Sequence, residues 1–434
     1  MKIAVVGSGI SGNSAAWALS RRHDVTLYES RARPGGHSAT VDIDHDGVHI
    51  PVDTGFIVFN RENYPLLTKL FAHLGVETRQ TTMSFSVSLD EGRFEWCGEN
   101  LRTIFAQRRN LFSPSFLRML SDILRFNAFA RRDLESGALC GLSFGDYIAH
   151  RRISLVLRDR YILPMIAAIW STPTARMLDF PAESLIRFLD NHRLIHHRRP
   201  DWESVMGGSR NYVNRLLAQF DGRVLYSNPV RRVERLAGGV RIHDSRGESA
   251  RYDAVIMATH SDTSLALLGD ATPGERAVLS AVSYRPNDVW LHRDLSLMPR
   301  RREAWAAWNY LGSTDPAEQS RVSVTYWMNR LQGIDPTRPV FVSVNPPRPP
   351  REELTFGQYS YSHPQFDAAS LAAQRSLAAI QGVGRTWYCG AWTRYGFHED
   401  GLASGLSVAA ALGCDAPFER AATRTPVLEL QAAE

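Results

Sequence analysis

The chain has 434 residues, more than one compact core usually contains, so its length predicts two or three domains. The apolar content of 44% and charged content of 22% are typical of a globular protein, and no run of 18 apolar residues predicts a membrane span. The apolar start is short and interrupted by glycines, so a cleavable signal peptide is not expected, and a cytoplasmic location is predicted. Four cysteines lack the spacing of a disulfide framework or a zinc site: Cys97, Cys140, Cys389 and Cys414.

The net charge of +5 is carried almost entirely by arginine, since the only lysines are Lys2 and Lys69. A modest positive excess favours an anionic membrane surface or an acidic substrate. Nucleic acid is not expected as a partner, because no recognisable nucleic-acid-binding motif accompanies the charge.

The first stretch of the chain predicts a dinucleotide-binding unit. An apolar run, Lys2 to Val6, leads directly into Gly7-Ser-Gly9-Ile-Ser-Gly12 and an alanine-rich helix over 13–20. In such a unit Gly7 permits the tight turn, Gly9 lets a pyrophosphate approach the backbone, and Gly12 lets helix and strand pack closely. The free N–H groups at the start of the helix then face the phosphates.

The next strand, Val25 to Tyr28, ends on Glu29, where a carboxylate can accept hydrogen bonds from both hydroxyls of an adenosine ribose. Gly35-Gly36 follows Arg33, and this turn would bring further N–H groups and a guanidinium to the same phosphates. Such an extension resembles that of flavoproteins rather than that of NAD dehydrogenases. An ordinary loop is the other interpretation of the glycine pair.

Further along, a strand over 48–52 ends in the turn Asp53-Thr-Gly55-Phe56, and residues 61–135 carry helical apolar spacing, in helices over 64–74 and 112–130. The second helix is basic, amphipathic and rich in aromatic residues. It either lies on a membrane surface or packs its apolar stripe inside a substrate domain.

Residues 142–195 are predicted to be largely helical, with an interruption at Trp170-Ser-Thr-Pro173. The histidine- and arginine-rich run over 192–199 is interpreted as solvated surface rather than a metal site, although an anionic head group is a second interpretation. A glycine pair, Gly207-Gly208, then precedes a helix over 212–220.

The remaining chain alternates strands and helices. Strands are predicted at 224–226, 230–236, 240–243 and 252–258, then at 289–292, 322–327 and 340–345, with a helix over 368–380. Their order predicts an FAD-binding domain made of residues 1–55, 200–261 and 383–420, and a substrate-binding domain made of 56–199 and 262–382. The tail, 421–434, is expected to be disordered.

The second strong signal lies near the carboxyl end. A strand over 386–390 is followed by a loop to Gly405, which contains Glu399-Asp400-Gly401, and by a small-residue helix over 406–412. This arrangement offers a second helix N-terminus to the cofactor.

Taken with the first 36 residues and the strands over 224–259, this pattern resembles the flavin amine oxidoreductase superfamily, which includes monoamine oxidases and carotenoid desaturases. The resemblance implies an α/β fold with a Rossmann-like FAD-binding domain of the amine-oxidase type and a discontinuous, mixed sheet-plus-helix substrate domain. It implies that Val230 contacts the adenine side through its backbone. The residues expected at the cofactor are Gly7, Gly9, Ile10, Ser11, Gly12, Glu29, Ser30, Arg33, Gly35, Gly36, His37, Thr54, Gly55, Phe56, Val230, Ala258, Gly390, Trp392, Glu399, Asp400, Gly401, Leu402 and Ser404.

A second resemblance lies outside the nucleotide motifs. It is to the flavoprotein domain that precedes the methyltransferase in plant cyclopropane fatty acid synthases, and to bacterial stand-alone relatives of that domain. The methyltransferase is absent from this chain, so the resemblance implies a lipid-acting flavoenzyme. The segments that carry it are Phe56–Arg61, Met83–Asp90, Ile169–Pro173, Asn191-His192 and Gly207–Val213.

Two departures from the superfamily pattern argue against amine oxidation. Amine oxidases of the superfamily commonly hold a water at the flavin with a lysine of the substrate domain, and here the chain has no lysine after Lys69. Phe397 follows Gly396 where the pattern has a cage tyrosine. Cys389 does not resemble a covalent attachment site, so non-covalent FAD is predicted.

The candidate bases for removing a proton from substrate are His398, Glu399 and Tyr395. Glu399 could instead serve the cofactor, and His398 could be structural. Arg61, Trp170, His192, Trp392 and Phe397 are candidates for the substrate pocket, with core packing as the alternative for each aromatic.

The first functional hypothesis is therefore an FAD-dependent oxidoreductase that desaturates or oxidises unsaturated or methyl-branched fatty acyl chains. A redox-neutral double-bond isomerase fits equally well, and an amine oxidase or polyene desaturase is a further enzymatic alternative. A protein of another class, in which a structural flavin supports a separate lipid methyltransferase partner, also remains open. A lipid substrate would place the protein at the inner face of the membrane, as a peripheral protein, for at least part of its cycle.

Overall fold

The computed structural model of the protein describes residues 1–170, 174–196, 198, 200–315, 322–416 and 418. It has a mixed α/β architecture, as the sequence predicts. The strands are β1 (Lys2–Val6), β2 (Asp24–Tyr28), β3 (Thr40–His45), β4 (Val48–Asp53), β5 (Phe59–Asn60), β6 (Thr78–Thr81), β7 (Phe85–Leu89), β8 (Phe94–Cys97), β9 (Trp202–Val205), β10 (Arg223–Leu225), β11 (Val230–Leu236), β12 (Gly239–Asp244), β13 (Ser249–Tyr252), β14 (Ala254–Met257), β15 (Ser283–His292), β16 (Trp308–Gly312), β17 (Ser323–Trp327), β18 (Phe341–Val344), β19 (Thr355–Gln365) and β20 (Thr386–Tyr388).

The helices connect and cover these strands. A π-helical turn over Arg158–Ile162 joins α6 to α7. The α-helices are α1 (Ile10–Leu19), α2 (Pro65–Leu74), α3 (Leu101–Ile104), α4 (Pro114–Glu135), α5 (Phe144–His150), α6 (Leu155–Leu157), α7 (Leu163–Trp170), α8 (Thr174–Met177), α9 (Ala182–Asn191), α10 (Arg210–Ala218), α11 (Ser261–Leu267), α12 (Pro273–Leu279), α13 (Met328–Gln332), α14 (Ala368–Ser376) and α15 (His398–Ala411).

A parallel five-stranded sheet, in the order β10-β2-β1-β14-β20, holds the amino-terminal motif. The central strand β1 pairs with β2 on one side and with β14 on the other, and its residues from Ile3 to Val6 are buried. Strands that are buried on both faces have continuous apolar sequences, and this pattern is what predicted the sheet. Its strands come from three separate parts of the chain.

A larger mixed sheet, in the order β19-β15-β18-β17-β16-β7-β8, forms a second layer of the molecule. One face contributes β7, β8 and β16 to an apolar core that also receives α4, α7 and α9. The long antiparallel pair of β15 and β19 forms the other edge of this sheet.

The predicted helical spacing over 61–135 is wrong between residues 78 and 97, where the chain forms β6, β7 and β8. In β7 the apolar residues Phe85, Val87 and Leu89 alternate with serines, and all five positions are buried within the sheet. The period is therefore two rather than 3.6. The segment over 252–258 is likewise not one strand, because β13 and β14 belong to different sheets.

The carboxyl-terminal helix also begins earlier than predicted. Helix α15 starts at His398, so Glu399, Asp400 and Gly401 lie in its first turn rather than in a preceding loop. A methyl group on Gly405 would lie 2.2 Å from the Ser11 carbonyl oxygen, and one on Gly401 would lie 2.7 Å from Ile10. The glycines therefore permit close packing of α15 on α1 and do not end the helix.

Two sequence predictions fall partly or wholly outside the described residues: the interruption over 171–173 and the disordered tail over 421–434. Within the described part of the chain, no helix is both long and apolar enough to cross a bilayer.

Candidate active site

The predicted phosphate-binding turn connects β1 to α1. Gly7 has a φ of 102°, and a methyl group there would lie 2.9 Å from the Ala258 carbonyl oxygen. A methyl group on Gly12 would lie 1.8 Å from the Gly7 carbonyl oxygen, whereas one on Gly9 would meet no atom within 4 Å. Gly7 and Gly12 therefore serve the packing of the protein itself, and the space beside Gly9 is left open.

The N-terminus of α1 is free to receive an anion. Its N-cap, Gly9, has no side chain to accept a hydrogen bond, and the first turn carries no acidic residue. Ile10 and Ser11 begin this helix and are buried. Unsatisfied N–H groups beside an open space are the features that a pyrophosphate requires.

The second glycine turn lies against the first. Gly35 N donates to the Ser8 carbonyl oxygen at 2.9 Å, and a methyl on Gly36 would lie 3.0 Å from the Gly9 Cα. The Arg33 guanidinium donates to carbonyl oxygens of this same turn, including that of Gly36 at 3.2 Å. Arg33 thus braces the turn in this structure.

The turn after β4 closes on the same region. The Phe56 N–H donates to the His37 carbonyl oxygen at 2.8 Å, and a methyl on Gly55 would lie 2.2 Å from that oxygen. Thr54 N donates to the Ala39 carbonyl oxygen at 2.9 Å. These contacts bring residues 54–56 beside the second glycine turn.

Glu29 lies at the end of β2 with 7% of its surface exposed. One carboxylate oxygen accepts from Ser8 N at 3.1 Å and Ser8 Oγ at 2.5 Å, and the other from Arg31 N at 2.8 Å and Ser30 Oγ at 3.2 Å. Two of these four donors are hydroxyls that can rotate. A ribose diol can therefore replace them while the two backbone donors hold the carboxylate in place.

Two other predicted residues lie close to these turns. Ala258 follows β14, and its N–H donates to the Val6 carbonyl oxygen at 2.9 Å, beside Gly7. Val230 begins β11, just after Asn228, whose N–H donates to the Glu29 carbonyl oxygen at 2.9 Å. The crevice between β1 and β14 is where the strand order reverses, the usual place for a ligand in a parallel sheet.

The start of α15 carries its own caps. The Asp400 carboxylate accepts from Phe397 N at 3.0 Å, and burial raises the pKa of Asp400 to about 6. Glu399 accepts from Leu66 N at 2.8 Å and Leu67 N at 3.0 Å, so its carboxylate caps α2. Both oxygens of Glu399 therefore accept backbone hydrogen bonds in this arrangement.

The strand β20 ends at Tyr388, two residues earlier than predicted, and Gly390, which follows it, donates its N–H to Ser404 Oγ at 2.9 Å. Leu402 is fully buried in the core shared by α1 and α15. Cys389 is buried, and burial raises its thiol pKa to about 12, so it is not a thiolate at neutral pH. This agrees with the prediction that the cysteine does not attach the flavin.

His398 is neutral and hydrogen-bonded. Its Nε2 lies 2.7 Å from the Tyr212 hydroxyl and 3.4 Å from Ser38 Oγ, and its ring stacks on Phe56 at 4.0 Å. Burial lowers the pKa of His398 to about 3. It therefore connects the 54–56 turn to α10 through the phenol of Tyr212.

An aromatic cluster adjoins the start of α15. The ring of Phe188 lies 3.9 Å from that of His192, 4.5 Å from that of Trp170 and 5.1 Å from that of Phe397. Tyr395 joins at 6.0 Å, and its carbonyl oxygen accepts from Trp170 Nε1 at 3.4 Å. Three of the predicted pocket residues, Trp170, His192 and Phe397, thus come together from α7, the end of α9 and the start of α15.

Both titratable members of this aromatic cluster are uncharged at neutral pH. Burial lowers the pKa of His192 to about 4, and burial raises the pKa of the Tyr395 phenol. Tyr395 is consequently a proton donor rather than a base at neutral pH.

The other two predicted pocket residues lie elsewhere. Arg61 is 65% exposed and pairs with the buried Glu203, its Nε 2.5 Å from a carboxylate oxygen. Trp392 is buried beside Gly390 in the core over β11 and β14, and its indole nitrogen has no hydrogen-bond partner among the described residues. Neither contributes a ring or charge to the aromatic cluster.

Three histidines near the glycine turns were not identified from the sequence as a group. The His37 ring lies 5.6 Å from that of His363 and 6.2 Å from that of His260. Burial lowers the pKa of all three, that of His363 to about 4. They come from the second glycine turn, the end of β14 and the edge strand β19, so no local motif connects them.

The polar groups around these histidines come from the long pair of β15 and β19. Asn287 Nδ2 lies 3.3 Å from His363 Nδ1, and the Tyr361 hydroxyl lies 2.8 Å from Thr54 Oγ1. His37 Nε2 has no partner within the described residues. Among the residues that the structure describes, no group of three histidine, cysteine or carboxylate side chains is arranged to hold a metal ion.

The residues present fit FAD. An open space at Gly9, an uncapped helix N-terminus and a carboxylate with two displaceable hydroxyl partners lie along one crevice. They match the pyrophosphate and ribose of a dinucleotide in order.

A family model for flavin containing amine oxidoreductases matches residues 10–287, more than half of the chain. Carotenoid phi-ring synthase of Chlorobaculum tepidum is 31% identical over 127 residues, which cover 27% of this chain and 20% of that protein. The flavin-containing monoamine oxidase AofH of Mycobacterium tuberculosis is 23% identical over 282 residues, 59% of this chain and 56% of that one. The chain thus covers less than two thirds of the length of each of these relatives.

Solved structures with the same fold include putrescine oxidase, with a TM-score of 0.66, 16% identity, and coverage of 95% of this chain and 99% of that one. The CLA-producing fatty acid isomerase from P. acnes has a TM-score of 0.65 and 14% identity, and the match covers 95% of this chain and 97% of the isomerase chain. The family model confirms the predicted cofactor, FAD, which this family typically binds non-covalently. The protein therefore belongs to the flavin-containing amine oxidoreductase family and is an FAD-dependent oxidoreductase.

Proposed function

We propose that the protein removes two hydrogens from an unsaturated or methyl-branched fatty acyl chain and passes the electrons to FAD. The observation that carries this proposal is the uncharged aromatic cluster of Trp170, Phe188, His192, Tyr395 and Phe397 at the start of α15. An acyl chain needs an apolar, dry surface near the cofactor.

The same cluster is poorly suited to an amine. A protonated amine needs a nearby carboxylate to compensate its charge, and the chain has no lysine after Lys69 that could hold a water at the flavin. The nearest carboxylates on α15 are committed elsewhere, Glu399 to the start of α2 and Asp400 to Phe397 N. The site therefore favours a neutral, apolar substrate segment.

The resemblance to the flavoprotein domain of plant cyclopropane fatty acid synthases supports a lipid substrate. Two of the segments that carry it reach the candidate site: Asn191-His192 places an imidazole in the aromatic cluster, and the segment over 207–213 places Tyr212 on His398. The fold is also that of a fatty acid isomerase, so this architecture is compatible with an acyl substrate.

The chain's own residues would position the substrate and keep water away. Bound FAD would supply the two-electron acceptor for the hydride that leaves one carbon. The stacked rings of Phe188 and Phe397 would hold the acyl chain by dispersion and burial, at about 0.8 kcal/mol for each methylene removed from water. Neutral histidines at the second glycine turn and β19 would be able to take the proton from the adjacent carbon.

The test is an anaerobic incubation of the FAD-loaded protein with unsaturated and methyl-branched acyl substrates, followed at the oxidised flavin band. Lasting bleaching with a product that is two hydrogens poorer supports the proposal. Product without bleaching indicates double-bond isomerisation instead. Peroxide release on a panel of amines would overturn the argument from lysine and charge. Full flavin retention without turnover, together with co-purification of a lipid methyltransferase, would favour the non-catalytic alternative.

A matched pair of variants separates pocket effects from loss of packing. Phe397→Ala opens the aromatic cluster. The control, Phe356→Ala, removes a ring of β19 that is also partly buried and that lies against His45 of β3. We expect the first to raise the KM for acyl substrate at least ~10-fold, from the ~2 kcal/mol that burial of one apolar side chain contributes. Phe356→Ala should leave the KM for acyl substrate unchanged. Equal effects of the two would show that the aromatic cluster is not the acyl site.

A further inference from the structure

One segment, residues 101–160, carries the positive charge of the whole protein. It contains eleven arginines and five carboxylates, a net charge of +6, whereas the entire chain has +5. The rest of the molecule is therefore close to neutral. Such an asymmetry concentrates the electrostatic potential on one part of the surface.

The same segment exposes large apolar side chains. Of the twelve large apolar residues that are exposed in the described part of the chain, six lie in it, and Phe112 is 85% exposed. Six within one seventh of the chain is far above an even distribution. The six are Leu101, Leu111, Phe112, Leu117, Leu124 and Leu155.

Helix α4 shows how charge and apolar surface are arranged. Its inner face buries Phe116 and Phe126, whereas Leu117 and Leu124, seven residues apart, share the outer face. Beside each outer leucine stands an arginine, Arg118 or Arg125, whose side chain is more than three quarters exposed. The two arginines share one ion-pair partner, Asp122, at 3.8 and 3.7 Å, so the apolar stripe of the outer face is flanked by a net positive charge.

Neighbouring elements extend this face. Ser154 Oγ donates to Asp122 on α4 at 2.9 Å, which brings the exposed Leu155 beside the helix. Before α4, a depression of about 530 Å³ is lined by four arginines, Arg102, Arg108, Arg109 and Arg301, and by one carboxylate, Glu303. Arg102 and Arg108 have no ion-pair partner among the described carboxylates, so their charges are available to an anion.

We propose that this face, residues 101–125 with 154–155, docks on an anionic lipid bilayer. Phe112, Leu117 and Leu124 enter the acyl boundary, and the arginines bind the headgroup phosphates. A soluble anion would not account for the exposed apolar side chains, and an apolar protein partner would not account for the excess of arginine. The inner face of α4 packs on the core that includes the aromatic cluster, so docking would set the candidate acyl site next to the membrane.

The experiment is co-sedimentation of the FAD-loaded protein with vesicles of phosphatidylcholine containing 30% phosphatidylglycerol, compared with vesicles of phosphatidylcholine alone. Binding should require the anionic lipid and weaken as salt rises from 0.05 to 0.5 M. Arg102→Gln with Arg108→Gln should weaken binding by ~25-fold, at ~1 kcal/mol for each arginine. Phe112→Ser with Leu117→Ser should weaken it by at least ~10-fold.

Matched controls use exposed residues outside the segment. Arg276→Gln with Arg348→Gln removes the same two charges, and Leu295→Ser removes an apolar side chain that is 50% exposed. Both should bind vesicles as the unmodified protein does, and the flavin absorbance of every variant reports that it is folded. Equal loss in the controls would reduce the effect to net charge and overturn the proposal.

The outcome is independent of the substrate proposal, because vesicle binding is measured without turnover. The proposal is wrong if the protein does not bind anionic vesicles, or if the arginine and apolar substitutions do not weaken that binding. If the surface variants instead change the mass of the protein in solution, the face joins two copies of the chain and the lipid assignment is wrong. Vesicle binding without turnover on any acyl substrate would leave the docking surface in place and refute the proposed function.

Discussion

Gly9 is the glycine of the first turn at which an added methyl group would meet no protein atom within 4 Å. Its φ of −66° and ψ of 179° are open to alanine, so Gly9→Ala introduces no backbone strain. Alanine lowers the entropy of the unfolded chain, worth ~0.4–1 kcal/mol, but is a weaker N-cap than glycine. The two effects offset, and the free energy of unfolding of the apoprotein should change by less than ~1 kcal/mol.

The affinity for FAD should respond very differently. A methyl group at Gly9 occupies the space through which a pyrophosphate would reach the N-terminus of α1. Loss of about two charge-assisted hydrogen bonds at ~1.5 kcal/mol each weakens binding by ~3 kcal/mol, or ~100-fold in Kd. Titration of the apoprotein with FAD, followed by quenching of flavin fluorescence, measures this change.

Gly12→Ala provides the contrast. Its methyl group would lie 1.8 Å from the Gly7 carbonyl oxygen and 3.0 Å from the Ala258 side chain, so α1 must move away from β1. We expect a loss of at least ~3 kcal/mol in urea unfolding, even without cofactor. If Gly9→Ala bound FAD with unchanged affinity, or lost affinity only together with stability, the pyrophosphate would not lie at Gly9 and the reasoning would fail.

Glu399→Gln should lower the free energy of unfolding by ~1–2 kcal/mol, as thermal unfolding would show, because the carboxylate caps α2. The kcat of any acyl reaction should stay within twofold. A large loss of kcat at unchanged stability would instead identify Glu399 as a catalytic group. Arg61→Ala leaves Glu203 buried without its cation and should lower stability by ~1–3 kcal/mol with KM unchanged, as kinetics on a soluble acyl substrate would show. The protein should become less stable as the pH falls from 6.5 to 4. In this range histidines of the unfolded state bind protons, whereas the buried histidines of the folded state stay neutral. Each such histidine lowers the free energy of unfolding by up to ~1.4 kcal/mol per pH unit. Asp53 and Asp400, with pKa values raised to about 6, partly offset this loss, and urea midpoints at pH 7.5 and 5 measure the net effect. The histidines concerned, with pKa values lowered to about 4 or 3, are His192, His292, His363 and His398.

The nucleotide-binding sheet could be predicted from the sequence because the features that produce it lie close together in the chain. A continuous apolar strand, three glycines at fixed spacing and an acid at the end of the next strand each have one physical explanation. The structure adds why the glycines differ: Gly7 and Gly12 are required by contacts within the protein, and Gly9 by the space it leaves open.

Other features depended on contacts between distant segments. The helical start at His398 was missed because Gly401 and Gly405 look like helix breakers, and only the close approach of α1 explains them. Arg61 was assigned to the substrate pocket by its motif, but its partner, Glu203, lies on β9, far along the chain. A side chain's partner decides its role, and a single sequence does not show that partner.

The states of the candidate catalytic bases also depend on contacts between distant segments. All three candidates came from one stretch, 395–399, and the structure gives each another state: Tyr395 keeps its proton, Glu399 caps α2, and His398 is bonded to Tyr212. The neutral imidazoles of His37, His260 and His363 come instead from three separate elements that meet beside the glycine turns. Burial and the neighbouring histidines lower the pKa of His37 well below its usual value, so its imidazole, with a nitrogen that has no partner within the described residues, is held neutral. This group of neutral histidines beside the cofactor crevice is thus a property of the assembled fold, produced by side chains whose positions in the sequence have no common motif.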